Sequence, residues 1–157
     1  MIIRDATVDD VPAVLPLVQR LCDLHRQWDT ERFDFKPDLA DRYRRWLGAR
    51  CADAGAVFLV ADAGGRVVAY LVGTTEDEVP IYWTPACGYI HDIWVEPDYR
   101  NEGLARQLVT LAVERFNAKG LKQVRLITAA GNDIGRAMFE RAGFRVATIE
   151  MMITTPG

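Results

Sequence analysis

The apolar run 90–95, stopped by Pro97 and followed by Tyr99-Arg100-Asn101-Glu102-Gly103-Leu104-Ala105-Arg106, constrains this chain more than any other stretch. After the turn, Leu104, Leu108, Leu111, Ala112 and Phe116 recur at spacings of three and four, the signature of an amphipathic helix. Lys119-Gly120 gives that helix a basic last turn and a glycine stop. A strand, a tight turn and a helix start in succession dictate an α/β unit. The first N–H groups of such a helix have no intrahelical partner, so its start is suited to an anion. Gly103 and Ala105 place no bulk over those amides, and Arg100 and Arg106 flank them with positive charge.

The flanking segments extend the same pattern. Residues 2–6 read as a short strand, with Thr7 and Asp10 spaced as a capping box. Val11, Val14, Leu15, Val18, Leu21, Cys22 and His25 line one face of a first helix, which Pro16 could kink. An aromatic and acidic stretch, 26–37, precedes a second helix over 38–54 with Leu39, Tyr43, Trp46, Leu47 and Cys51 on its apolar face. These two helices and the loop between them could wall a cleft or simply cover the core. Strands are expected at 57–61 and 66–74 around the turn Asp62-Ala63-Gly64-Gly65. A loop with Pro80, Tyr82, Trp83 and Pro85 leads to the strand 88–96. Beyond the long helix come a strand at 123–128, a helix capped by Asn132 and stopped at Gly143, and a last strand or bent pair within 144–153. The expectation is a single α/β domain over 1–157, a mixed sheet of six or seven strands flanked by four helices, with a right-handed parallel crossover around Gly103.

The spacing Arg100-x-x-Gly103-x-Ala105 resembles the acetyl-CoA pyrophosphate loop of the GNAT N-acetyltransferase superfamily. Downstream, Asn132-x-x-Gly135-Arg136-Ala137-Met138-Phe139-Glu140-Arg141-Ala142-Gly143-Phe144 is similar to the family's Asn-x-x-Ala-x-x-Leu-Tyr-x-x-x-Gly-Phe segment. The resemblance implies acetyl-CoA as co-substrate and a primary amine as acceptor. It implies two central parallel strands that splay around the pantetheine arm. It also implies cofactor contacts from Ile93, Trp94, Val95, from Arg100, Asn101, Glu102, Gly103, Leu104, Ala105 and Arg106, and from Asn132, Arg136 and Phe139. Two positions depart from the family pattern. Phe139 stands where Tyr often serves as general acid, so acid help would come from Tyr82, Tyr89 or water. Asn101 stands where glycine usually follows the arginine, and Asn is the non-glycine residue that best tolerates φ > 0.

Acetyl transfer to an amine requires a neutral nucleophile, although a lysine-like amine has a pKa of about 10.4. It also requires donors for the oxyanion, which the resemblance assigns to backbone N–H groups near 93–95. His91 is the leading candidate to take the amine's proton, because imidazole titrates near neutrality. Strict alternation puts His91 on a face with Tyr89, Ile93 and Val95 and turns Asp92 away. A bulge would invert that pattern and bring forward Asp92 or Tyr89. A catalytically weak acyl-CoA-binding sensor is the other functional class consistent with Phe139.

The net charge of −3 argues against a broad nucleic-acid surface. Three cysteines without metal-ligand spacing and only two histidines argue against a zinc site and fit free thiols in a reducing cytoplasm. No apolar run reaches membrane-spanning length, and the N-terminus reads as a strand rather than a signal peptide. The apolar run 149–153 could pair across a homodimer or within the chain.

Overall fold

The computed structural model describes residues 1–157. The elements in chain order are β1 (Ile2–Asp5), α1 (Val11–Trp28), α2 (Leu39–Cys51), β2 (Val57–Asp62), β3 (Val67–Asp77), β4 (Ala86–Val95), α3 (Leu104–Ala118), β5 (Val124–Leu126) and α4 (Asp133–Arg141). The five strands form one sheet in the order β1-β2-β3-β4-β5. The first four are antiparallel neighbours, and β5 joins β4 in parallel through the α3 crossover. No helix is long and apolar enough to cross a membrane.

Two cores arise from the period-two pattern of the strands. Phe58, Val60, Tyr70, Val72 and Trp94 face α1 and α2, packing on Val14, Val18, Leu21 and Leu47. Leu59, Ala69, Leu71, Ile90 and Val95 face α3, packing on Leu108, Ala112 and Phe116, with Phe139 of α4 at the margin. The helix α1 continues through Pro16. Before it, Asp10 accepts from the Thr7 N–H at 2.8 Å and from both terminal nitrogens of Arg4 at 2.7 and 2.8 Å. These contacts, the Arg4 hydrogen bonds foremost, hold its carboxyl down at about 2.

The sheet is not regular where it matters. Leu71 pairs with Ile93 and Val72 with Asp92, but Gly73 then pairs with Ile90. His91 is therefore the extra residue of a β-bulge in β4. On the other edge, β4 meets β5 only from Gly88 to Ile90. From the bulge onward that edge of β4 has no strand beside it.

The expected six or seven strands are corrected to five. Residues 144–153 form no strand, although their apolar pattern resembles one. Alternation specifies a face but supplies no pairing partner, and β5 spans only three residues. The tail is held instead by side chains, with Arg32 Nε donating to Glu150 at 3.1 Å and Thr154 Oγ1 donating to Glu31 at 3.0 Å.

The seat of α3 depends on two glycines. A Cβ at Gly88 would overlap the Phe116 ring, and one at Gly73 would lie 3.0 Å from it. The ring fills the space both residues leave and fixes the height of α3 over β3 and β4. Gly88→Ala should destabilise the fold by about 1–3 kcal/mol, the usual cost of overpacking. Urea unfolding measures it, and Phe116→Leu in the same chain should recover part of the loss.

Candidate functional site

The anion loop forms as its residues require. Asn101 has φ +65° and Gly103 φ +80°, both left-handed, so the asparagine takes the conformation expected of it. Arg100 N–H closes the preceding turn on Pro97 C=O at 3.2 Å, and Gln107 N–H bonds Gly103 C=O at 3.0 Å. Between them, the amides of Asn101, Glu102, Gly103, Leu104, Ala105 and Arg106 form no loop or cap bond. Nothing lies within 4 Å of where a Cβ of Gly103 would stand. An anion can therefore approach these amides directly, on the positive end of the α3 dipole. A groove of about 400 Å³ continues from Gly103 along Arg106, Gln107, Thr110, Leu111 and Glu114.

Arg100 turns partly inward. Its Nε donates to Val95 C=O at 2.8 Å, and its guanidinium lies 4.6 Å from the Trp94 ring centroid. The Trp94 Nε1–H donates to Glu96 at 3.2 Å, and buried Glu96 also pairs with Arg20. The loop is thus tied to the end of β4 by one arginine, leaving exposed Arg106 as the freer cation. Leu104 is buried in the core and Ala105 half-buried, so these two contribute backbone rather than side chain.

The bulge settles which side chains of β4 meet. The alternation expected for His91 is corrected: it does not share a face with Ile93 and Val95, which pack toward α3. His91 and Tyr89 have ring centroids 5.1 Å apart, and Trp46 of α2 meets His91 edge-on at 5.3 Å. Asp92, which pairs with Val72, lies on the same side and is influenced by Tyr43 of α2. The bulge therefore brings Tyr89, His91 and Asp92 to one face, where regular alternation would have separated His91 from Asp92.

These residues differ in electrostatic setting. Burial pulls the His91 imidazole below its usual range; Glu76 opposes this and Arg50 adds to it. Burial pushes the Asp92 carboxyl up to about 6, with Tyr43 opposing, and its Oδ2 has no hydrogen-bond partner. Burial also raises the Tyr89 phenol. Tyr89 and His91 line a cleft of about 370 Å³ with Glu76, Glu78, Cys87 and Arg125. Glu78 is paired with Arg125. Thr74 Oγ1 lies 2.7 Å from His91 Nε2 and 2.5 Å from Glu76 Oε1. Sequence reading missed Thr74 and Glu76, and read Trp46 only as part of the apolar face of the second helix. Tyr70, Val72, Thr74 and Glu76 do alternate onto one face, but a bulge between β3 and β4 hides which residue each one opposes.

The downstream motif divides between packing and surface. Asn132 Oδ1 accepts from the Gly135 N–H at 3.0 Å, and its Nδ2 donates to Thr128 Oγ1 at 2.9 Å. It is an N-cap, and a Cβ at Gly135 would collide with it. Exposed Arg136 pairs with Asp133 at 2.6 Å. Phe139 is 7% exposed and packs on Phe144 with ring centroids 5.9 Å apart, so it belongs to the core. At the aromatic loop, Trp28 and Phe33 pack on His25, whose Nδ1 lies 2.8 Å from Leu21 C=O. That histidine serves packing.

Comparison with known proteins gives a consistent result. Residues 18–144 match the family model described as Acetyltransferase (GNAT) family. An L-methionine sulfoximine/L-methionine sulfone acetyltransferase of Pseudomonas paraeruginosa is 29% identical over 150 residues, covering 92% of this chain and 80% of the relative. A crystallised tetramutant protein of Bacillus halodurans superposes with a TM-score of 0.83 at 23% identity, over 99% of this chain and 100% of the other. A predicted acetyltransferase of Clostridium acetobutylicum, solved with acetyl-CoA, gives a TM-score of 0.78 at 19% identity, over 98% and 95% of the two chains. The family match over most of its length shows that the chain belongs to the GNAT family of N-acetyltransferases, whose acyl donor is acetyl-CoA.

Proposed function

We propose that this enzyme acetylates a primary amine on a small molecule by direct attack in a ternary complex, with His91 taking the amine's proton. The observation that carries the reading is the coincidence of the bulge with the point where β5 leaves β4. The free edge offers N–H groups of 91–95 beside a slot for the pantetheine arm, and the bulge turns His91 toward the cleft. Acceptor and donor then approach one strand from different sides.

Each part has an assigned task. The amides of 101–106 and Arg106 hold the pyrophosphate, and Arg100 holds the loop to β4. Backbone N–H groups among Ile93, Trp94 and Val95 stabilise the oxyanion. Glu76 gives the cleft negative charge not already paired with Arg125, which favours the acceptor's ammonium group. The Pseudomonas relative is named for acting on amino-acid analogues, which fits a cleft of this volume better than a protein tail. Phe139 has no proton to give and sits in the core, so Tyr89 or water protonates the leaving thiolate. The buried Phe139 is also what favours a weakly active acyl-CoA sensor as the second reading; release of CoA thiol across an amine panel decides between the two.

Gly103→Val should abolish acetyl-CoA binding in titration calorimetry, because it places a branched side chain over the amides. Unchanged affinity would remove the loop from the phosphate site. His91→Ala should lower turnover by about 10²–10⁴-fold, the range for general-base help, while acetyl-CoA still binds. Because burial lowers the His91 pKa, the base stays unprotonated to lower pH, so the acid limb of the rate profile should fall below the unperturbed ~6.5.

Asp92→Asn separates the neighbouring carboxyl from this role. A carboxyl at about 6 when folded and about 3.9 when unfolded binds more protons in the native state between those values. It therefore costs stability as pH rises through that window. Asp92→Asn should raise stability at pH above the window by about 3 kcal/mol. Urea unfolding at acidic and neutral pH measures the difference.

A further inference from the structure

We propose that Thr74 and Glu76 form a hydrogen-bonded relay that holds His91 in the Nε2–H tautomer and so makes Nδ1 the atom that accepts the amine's proton. The inference rests on the reading of His91 as proton acceptor and names two positioning residues for it. Both lie on β3, across the sheet from the bulge.

The assignment follows from counting protons. Thr74 Oγ1 is 2.5 Å from Glu76 Oε1 and 2.7 Å from His91 Nε2, and a hydroxyl has one proton to share between them. A carboxylate only accepts, so the hydroxyl proton points to Glu76. The Thr74 oxygen then faces Nε2 with a lone pair, and that contact is a hydrogen bond only if Nε2 carries the proton. The reverse arrangement sets two lone pairs against each other at 2.5 Å. Thr74 is 5% exposed, so its hydroxyl has little access to water as an alternative partner. In the neutral ring, the remaining lone pair is therefore on Nδ1.

The relay also stabilises the product of proton transfer. When the amine's N–H proton moves to Nδ1, the ring becomes an imidazolium that still donates Nε2–H to Thr74. Glu76 Oε1, 3.5 Å from Nε2, balances the new charge, and no proton needs to move along the relay. The other charged or titratable groups around the ring are Arg50 from α2, Cys87, Tyr89 and Asp92 on β4, and Glu78 paired with Arg125 across the cleft. Among the acidic groups, Glu76 alone is both within 4 Å of the imidazole and connected to it by a hydrogen-bonded hydroxyl.

The test combines ¹⁵N-histidine NMR with kinetics. The His91 signals are assigned by their loss in His91→Ala. The wild-type ring, kept neutral, should show a protonated Nε2 and a bare Nδ1. Thr74→Val, which keeps the shape and removes the hydroxyl, should erase that preference and cut turnover by about 10–10²-fold, less than loss of the base itself. Glu76→Gln should move the acid limb to lower pH, and Thr74→Ser should restore both tautomer and rate. Acetyl-CoA affinity should stay constant throughout. A wild-type ring protonated on Nδ1, or a Thr74→Val enzyme with native tautomer and pH profile, overturns the relay while leaving His91 as the base. Full activity in His91→Ala with the Nε2–H tautomer present in wild type overturns the proton-acceptor reading instead, and the relay's catalytic role with it.

Discussion

The site depends on β4 being two strands in one. Up to Ile90 it is hydrogen-bonded on both edges; beyond it, only the edge facing β3 is paired. An interior strand ordinarily spends its N–H and C=O groups on both neighbours, and unspent ones in a core are costly. Here they are left at the rim of the splay, where a ligand can use them. The bulge at His91 falls at the same point. The extra residue bends the strand and changes which faces its side chains address, so the exposed backbone and the titratable side chains arrive together.

The rest of the fold maintains that geometry. Phe116 rests on Gly73 and Gly88, on either side of the β3–β4 seam, and seats α3 at the height its N-terminus needs. Arg100 reaches back to Val95 C=O and lies over Trp94, so the loop that presents the amides is anchored to the strand that presents the chemistry. On the opposite face, α2 supplies Trp46 against His91. Each attachment uses a side chain on one element to fix backbone or ring on another.

Much of this was legible in the sequence. The turn before α3 is local: its strand, its left-handed Asn101 and Gly103 and its helix all fall within one stretch, where spacing and family resemblance could be read together. The helix stripes were equally readable, as was the packing role of His25. The bulge was not, since a bulge is a property of two paired strands and β4 alone carries no mark of it. For the same reason Thr74 went unnoticed, and Glu76 fell in what the sequence reads as a loop, whereas β3 runs on to Asp77. The tail 144–153 failed in the other direction. Its apolar pattern resembles a strand, but with β5 so short there is no extended edge for it to join.

If His91 takes the amine's proton as proposed, charge sets the last constraint, because recognition and deprotonation of the amine oppose each other. A carboxylate about 5 Å from an ammonium contributes about 3 kcal/mol at an effective dielectric of about 20, which under that proposal draws the acceptor's ammonium to Glu76. The same attraction raises the amine's pKa, already about 10.4 for a lysine-like group, and His91 is pulled the other way by burial. Transfer from a free ammonium to this imidazole is therefore uphill by more than about 5 kcal/mol, at about 1.36 kcal/mol per pKa unit. The imidazole cannot be a reservoir that strips the amine before attack. It is suited to act as the carbon–nitrogen bond forms, when positive charge on nitrogen makes the departing proton far more acidic. A base of depressed pKa then remains unprotonated between turnovers and returns its proton readily to water. In the proposed cycle Glu76 serves both ends, first by attracting the acceptor and then by balancing the imidazolium.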